Sequence, residues 1–506
     1  MSAKQEVLVN ERFGRRTFFK GTLIATGALL AACADVGGPA GPGGTRSDQA
    51  VPKGVDAEPR PLPIPPLDEG ELDGTTRRFE LTAQEGEFEI VPGTMTRTWG
   101  FNGAWLGPTL YMRRGEQIEM TVRNEVSEPT VVHWHGLHLP AAADGGPAQM
   151  FDPGETWEPA WDVDQPAATC WYHPHPHEVS ALHAYRGLAG AIVVADDESD
   201  ALGLPSDYGL DDIPVVITDA KFTEDGQLDE TIDSTYGLLG DTPLINGITK
   251  PRFEATTRRV RLRVLNGATM RFHNLMLGKP VHVIATDQGL LEAPVEVDTV
   301  LLSPGERVEI IVDLEPGEEL TLRSGGVAKG KTADGFGLQD TFDLLEIAGP
   351  PEDAAEAPQL PDRLVAHGVD KQTAPETERE FRLNGLQINE QSMDMHRVDV
   401  VVDHKGPELW RVTNENDDWP HNFHIHNARF KVVGVDGGEL AFTHGWHDTI
   451  NIPPLATVEL LVEFGYYPDP TLAYMFHCHM LFHEDEGMMG QFVVVEPGQS
   501  PQLAGH

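Results

Sequence analysis

Cysteine is nearly absent from this chain, three in 506 residues, too few for a scaffold held by disulfides. Basic residues are scarce too: 37 Lys and Arg stand against 80 Asp and Glu, a formal charge of −43. That balance withholds the basic surface nucleic acids require, so no nucleic-acid partner is expected. It fits a soluble acidic surface and permits cationic substrates or a saline milieu. Helical periodicity is scarce, and the greasy run from Gly21 to Ala32 is too short to span a bilayer comfortably. What is present is a chain 40% hydrophobic, apolar enough for packed cores and long enough for about three domains. The unusual count is histidine, 21.

The N-terminus reads as an export signal, residues 1–33. Gly14-Arg15-Arg16-Thr17-Phe18-Phe19-Lys20 precedes the short apolar run and resembles a twin-arginine signal, which exports folded proteins. Leu30-Ala31-Ala32-Cys33 resembles a bacterial lipobox, implying a lipid anchor on Cys33 and a membrane-tethered lipoprotein; an Ala-rich signal-peptidase site is the rival reading. Either one places the mature protein in the periplasm or outside the cell. Residues 34–73, rich in Gly, Pro and acids from about Val36 to Pro66, read as a tether.

Beyond it, short alternating segments are separated by turn residues, the pattern of all-β sandwich or barrel domains. Gln117–Val122, Val260–Val264 and Val308–Val312 are examples. A repeat is visible: Asn102-Gly103, Asn246-Gly247 and Asn384-Gly385 each precede a strand ending Val122-Arg123-Asn124, Val264-Leu265-Asn266 or Val412-Thr413-Asn414. A domain-sized interval, not the 20–50 of a solenoid, gives three homologous β-domains at 74–197, 198–350 and 375–498. The stretch Gly349–Pro361 reads as the linker before the third.

His133-Trp134-His135, His173-Pro174-His175, His424-Ile425-His426 and His477-Cys478-His479 are each His-x-His. This histidine content predicts about one such pair by chance. On a strand, residues i and i+2 share a face, so each pair offers two imidazoles side by side. Neutral imidazole suits Cu, Zn, Fe and Ni, and four converging pairs suit a metal cluster rather than one ion. Cys478 would face away from its flanking histidines. His483 and Met488 follow it as Cys-x4-His-x4-Met, and His421 stands upstream. Thiolate, two histidines and a distant methionine are the donor set of a blue-copper site.

These motifs resemble the three-domain multicopper oxidases: laccases, bilirubin oxidases, spore-coat oxidases and bacterial copper-efflux oxidases. The likeness runs through HWHGLHLP with DGGP, TCWYHPHPH with GLAGAIVV, HNFHIH, and HCHMLFHEDEGMM. The middle domain looks familial in RVRLRVLNG, ATDQGLL and LSPGERVEIIVD without a ligand motif. The resemblance implies three cupredoxin-like Greek-key β-barrels and four copper ions. Type 1 copper would take His421, Cys478, His483 and axial Met488. Type 2 would take His133 and His424. The type 3 pair would share His135, His173, His175, His426, His477 and His479; His177 is the rival in HPHPH. Asp144 and Glu484 resemble the family's proton-supplying acids, Asp144 being otherwise a turn residue. Asp448 resembles a structural position, Cys170 reads as an inert buried thiol, and His138, His183 and His444 as surface or supporting residues. Asn422, Asn427 and Phe482 depart from many members and put the substrate mouth in question.

The implied activity is laccase-like oxidation of phenols or aromatic amines by one-electron steps, coupled to reduction of O2 to water in a monomer. Electrons would enter through the exposed edge of a ligand histidine. A metal oxidase acting on Cu(I), Fe(II) or Mn(II) is the alternative, weakened by the lack of a long Met-rich insert. A copper-free envelope or division protein is the third, opposed by the complete ligand set. Two-domain nitrite reductases fit worse, lacking the paired histidine motifs and the third domain.

Overall fold

The computed structural model describes residues 58–327, 335–365, 375, 377–403, 405–440 and 442–503. The export signal and most of the tether lie outside the described residues. The rest is all-β, as expected. Among the described residues the strands form six sheets, which pair face to face as three cupredoxin-like sandwiches. The only helices there are short, under two turns each, such as Ser180–Tyr185 and Leu481–Asp485.

Each sandwich has its own apolar core, and the alternation seen in the sequence explains why. In Gln117–Glu125 every second side chain from Ile118 to Asn124 is buried, the inward half of a two-sided strand. The third core also takes in Phe272, Phe336 and Leu338 from the middle domain, so the domains pack as one body there.

The repeat has a structural meaning. Asn124, Asn266 and Asn414 are fully buried and do the same work in each domain. The amide of Asn124 donates to the carbonyls of Glu128 and Phe151, and its Oδ1 accepts from Val126 N. Asn266 clasps Arg271 O, Leu302 O and Ala268 N, and Asn414 clasps Trp419 O, Ile452 O and Asn416 N. Three backbone groups that no strand partner can reach are thereby satisfied. Asn266→Ala strips all three in a domain without metal ligands. At about 1–3 kcal/mol for an unsatisfied buried group, it should lower the thermal midpoint by several degrees with metal content unchanged. An unmoved midpoint would mean that water replaces the clasp.

The upstream Asn of the repeat needs a correction. Asn102 (φ 55) and Asn246 (φ 49) sit left-handed, each bonding a neighbouring strand through its side chain: to Thr82 N and Glu80 O, and to Val216 N and Pro214 O. In the third domain Asn389 (φ 54) does this, bonding Arg382 N and Glu380 O; Asn384 does not. Local conformation, not the Asn-Gly pair, carries the repeat.

The end of the expected tether is also corrected. Arg60–Pro61 pairs in parallel with Pro251–Glu254 of the middle domain, and Leu67–Asp68 pairs with Thr109–Arg113 of the first. Glu71–Asp73 adds a further edge strand. Prolines are tolerated there because an edge strand leaves one side of its backbone unpaired. The expected linker is likewise tied down past its end: Leu364 and Val365 are buried in the middle core, and Leu364 N donates to Glu292 O.

Candidate metal centre

His133 and His135 lie on Val132–His135 with Trp134 between them, turned into the first core. The antiparallel neighbour Ala168–Pro174 sets His173 opposite His133. In the third domain His421–Ile425 pairs with Tyr474–His477, setting His424 opposite His477, while Phe423 and Ile425 fill that core. The two strand pairs face each other across the domain boundary. His133 stacks on His426 and His135 on His424, both with ring centroids 3.8 Å apart. All eight rings are 2% exposed or less. His177, the rival, is half-buried and joins no metal-sized group among the described residues.

The nitrogens sort themselves by hydrogen bonding. Nδ1 of His133 is held by Asp144 O at 2.8 Å and Nδ1 of His424 by Asp448 O at 2.9 Å, and both Nε2 atoms are buried without partners. His135 is the reverse: its Nε2 bonds Asp448 Oδ1 at 2.9 Å, leaving Nδ1 facing His173 Nε2 at 3.4 Å. The donors gather as His135-His173-His479 and His175-His426-His477, with His133 beside His424 and His135. Burial pushes every one of these imidazoles below its ordinary pKa, His173 to about 3 and His477 to about 4. Neutral rings with orphaned buried nitrogens are costly alone and are what a metal ion binds. The site fits copper.

A second group lies on the other face of the same strand end. Cys478 Sγ is 3.6 Å from Nδ1 of His421 and of His483. Burial pushes the thiol up to about 12, so a thiolate there calls for a cation beside it. Met488, fully buried, is tied to the group by its backbone, donating to His483 O at 2.9 Å and accepting from Cys478 N at 3.2 Å. The expected exposed histidine edge is corrected here: His421 and His483 are each 0% exposed. Asn416 Nδ2 caps His421 Nε2 at 3.0 Å, and aromatic rings cover His483.

Three carboxylates each span one histidine from the first domain and one from the third. Asp144 Oδ2 accepts from His426 Nδ1 at 2.7 Å, and its Oδ1 is 3.6 Å from His133 Nδ1. Glu484 is 3.2 Å from His175 and 3.3 Å from His477. Asp448 is 2.9 Å from His135 and 3.6 Å from His424. Their surroundings separate them. Among the described residues no Lys or Arg pairs with Asp144 or Glu484, and burial pushes both carboxyls well above their usual range. Asp448 has both oxygens gripped by Arg307, at 2.7 and 2.6 Å.

Arg307 escaped the sequence reading. It lies in the middle domain, which offers no ligand, within the segment LSPGERVEIIVD. Beside it Gln288 donates to Asp448 Oδ2 at 2.6 Å and to Gly136 O at 2.9 Å, and Asp287 Oδ1 accepts from Arg307 N at 2.6 Å. Gly136 (φ +90) must lack a side chain, because a Cβ there would stand 2.5 Å from Arg307 Nη2. Asn422 is not at the substrate mouth: fully buried, it binds Ser303 Oγ and Pro304 O and accepts from His479 N. Phe482 is buried as well, while Asn427 holds Gly465 O through its amide. Cys170 is buried, its thiol pushed up to about 12 by burial. His183 is not at the surface; it is buried on Trp99 and 3.1 Å from Glu128. His444 is exposed and His138 partly buried.

Three interleaved cupredoxin-like domains with a histidine cluster wired to a Cys-His-His group define a class of copper oxidoreductase. The sequence pattern of the multicopper oxidases matches residues 82–199 and again 356–498. The chain belongs to the multicopper oxidase family and is a copper-binding protein of that kind. It is 36% identical to the cell division protein FtsP of Yersinia pestis, over 86% of this chain and 92% of that one. A multicopper oxidase from Pediococcus acidilactici superposes with a TM-score of 0.80 at 32% identity, covering 90% and 95% of the two chains. A laccase-like enzyme, CueO of Ochrobactrum, with oxidase activity towards lignin model compounds, gives 0.77 at 34% identity, covering 86% and 100%.

Proposed function

We propose that this chain is a laccase-like oxidase, coupling one-electron oxidation of phenols or aromatic amines to reduction of O2 to two waters. The carrying observation is the complete donor set: ten buried histidines, Cys478 and Met488, with free nitrogens already converged. His421, Cys478, His483 and Met488 would hold type 1 copper. His133 and His424 would hold type 2. His135-His173-His479 and His175-His426-His477 would hold the type 3 pair, four ions in all. Copper in these positions supplies single-electron acceptance at the sulfur and four-electron reduction of O2 at the histidines.

The protein's own residues do the rest. Cys478 is joined through its backbone to His477 and His479, giving electrons a short covalent route between the two groups. Asp144 and Glu484 hold protons at carboxyl oxygens beside the histidine cluster, where water formation consumes them. Asp448 with Arg307 fixes which nitrogen of His135 faces the metal. The buried walls keep bulk water from the reacting oxygen. Completeness of the ligand set favours an oxidase over a copper-free division or envelope role. We place the protein outside the cytoplasm as an exported monomer, tethered if Cys33 carries lipid.

Oxygen uptake by copper-loaded protein, compared across a substituted phenol, Cu(I) and Fe(II), tests the reading. Fastest turnover with the phenol is expected. Faster turnover with either metal ion would transfer the assignment to a metal oxidase, and no uptake at full copper loading would overturn both.

A further inference from the structure

We infer that Trp419 is the residue through which electrons enter: a donor contacts its indole, and the electron passes across the stacked indole and imidazole to the metal held by His483. This rests on the oxidase reading above and adds the residue that reads the donor.

The observation is that neither type 1 histidine reaches solvent. His421 and His483 are each 0% exposed, so a donor cannot touch a ligand ring as the fold now stands. Among the described residues, four rings pack on His483: His421, Phe336, Phe482 and Trp419. The first three are buried and Trp419 alone is partly exposed. Its ring lies 15° from the plane of His483 at a centroid distance of 5.7 Å, whereas Phe336 stands edge-on at 82° and 6.1 Å. Near-parallel, offset rings at this separation are a favourable aromatic pair, and an electron leaving the indole has one short non-bonded step to the imidazole.

Trp419 is also held firmly. Its carbonyl accepts from the amide of buried Asn414 at 2.9 Å, the same clasp that recurs in all three domains. Phe336 braces the indole from the middle domain at 5.7 Å and 67° and is itself braced by Tyr236 at 5.0 Å. The entry surface is thus one indole framed by a second domain.

The donor class follows from what flanks that indole. Glu415, Asp417 and Asp418 are exposed in the segment leading into Trp419. An aromatic face with acidic side chains next to it in the chain favours a flat ring carrying positive charge, so an aromatic diamine in its protonated form, below neutral pH, outranks an anionic donor here. The donor loses one electron, the oxidised type 1 metal gains it, and the indole is unchanged overall; an amine donor releases its proton to solvent.

The test is anaerobic bleaching of the blue absorption in copper-loaded wild type, Trp419→Phe and Trp419→Leu, by stopped flow. The donors, compared at about pH 5, are p-phenylenediamine, which carries a proton there, and a sulfonated anionic dye of matched potential. Trp419→Leu should bleach at least tenfold more slowly with the amine, with absorption spectrum and type 1 potential kept. Trp419→Phe should recover most of the rate. The wild type should prefer the amine, less so as salt rises. If Trp419 were only a cover, Trp419→Leu would uncover His483 and bleach as fast or faster, which overturns the inference. A shifted potential would likewise overturn it, making Trp419 a tuning residue. Wild type that never turns blue would instead sink the copper-site reading itself.

Discussion

Cys478→Ser is expected to erase the blue absorption of the copper-loaded protein and reduce donor-dependent oxygen uptake to background, while the protein stays folded. The thiolate is the ligand that distinguishes a blue-copper centre, and the sulfur is the shared atom of the Cys-His-His group, 3.6 Å from Nδ1 of both His421 and His483. A serine hydroxyl is close in size, and Asn422 Oδ1, 3.5 Å from the sulfur, can accept its proton. The cost in stability is therefore about 1–2 kcal/mol, small beside the loss of function. The histidine cluster draws on other side chains, so elemental analysis should find one copper fewer per chain than in the parent. Retained colour would refute the ligand assignment, and loss of every copper would show that the two groups do not load independently.

The second large effect is expected far from any ligand motif. Arg307→Met removes the cation that grips both oxygens of Asp448, leaving a carboxylate 0% exposed. Breaking a buried pair from one side costs about 3–5 kcal/mol. Asp448 also holds Nε2 of His135, so copper occupancy of the histidine cluster should fall while the blue type 1 absorption persists. Adding Asp448→Asn removes that stranded charge and keeps an acceptor for His135; the double variant should regain part of the stability and part of the copper, the carbonyls of Thr169, Gly305 and Asp287 still lacking their donor. A single variant with unchanged thermal midpoint and full occupancy would show that Arg307 does not support the cluster.

Arg307 shows why part of the site was illegible. In a strand such as Arg307–Asp313, polar residues next to apolar ones look like a solvated face. Arg261 and Arg263, alternating with Val260, Leu262 and Val264, look the same. In the fold both are 7% exposed. Arg263 is paired with Asp212 and Glu309, and both it and Glu309 reach Thr169 of the first domain. The alternation was real, but what covers the outer face is another domain, and a strand pattern carries no information about that. The same ignorance left the tether's end misread: Arg60–Pro61 looks like a spacer until the edge of Pro251–Glu254 is in place to receive it.

The histidines were legible for the opposite reason. Two imidazoles on alternate strand positions share a face by covalent geometry alone, so four His-x-His pairs announce a metal cluster before any packing is known. Cys478 was legible by the same parity, set between two histidines on the opposite face. The structure supplied what parity cannot: which histidine donor atoms converge. The stacking of His133 on His426 and of His135 on His424 joins residues nearly 300 positions apart, and it gathers the donor atoms as His135-His173-His479 and His175-His426-His477. It also showed that the Cys478 group is sealed, because whether the His483 ring meets solvent depends on Trp419 and Phe336, which reach it from different domains.

From its amino acids alone, then, this protein reads as an all-β, three-part chain carrying paired-histidine and cysteine motifs suited to copper, since strand periodicity and residue chemistry are local properties. Tertiary structure alone decided which donor atoms converge, which buried carboxylate an arginine grips and which rings are sealed from solvent. Each of those turns on what lies across a domain boundary, where burial and the placement of one arginine or one indole set the chemistry.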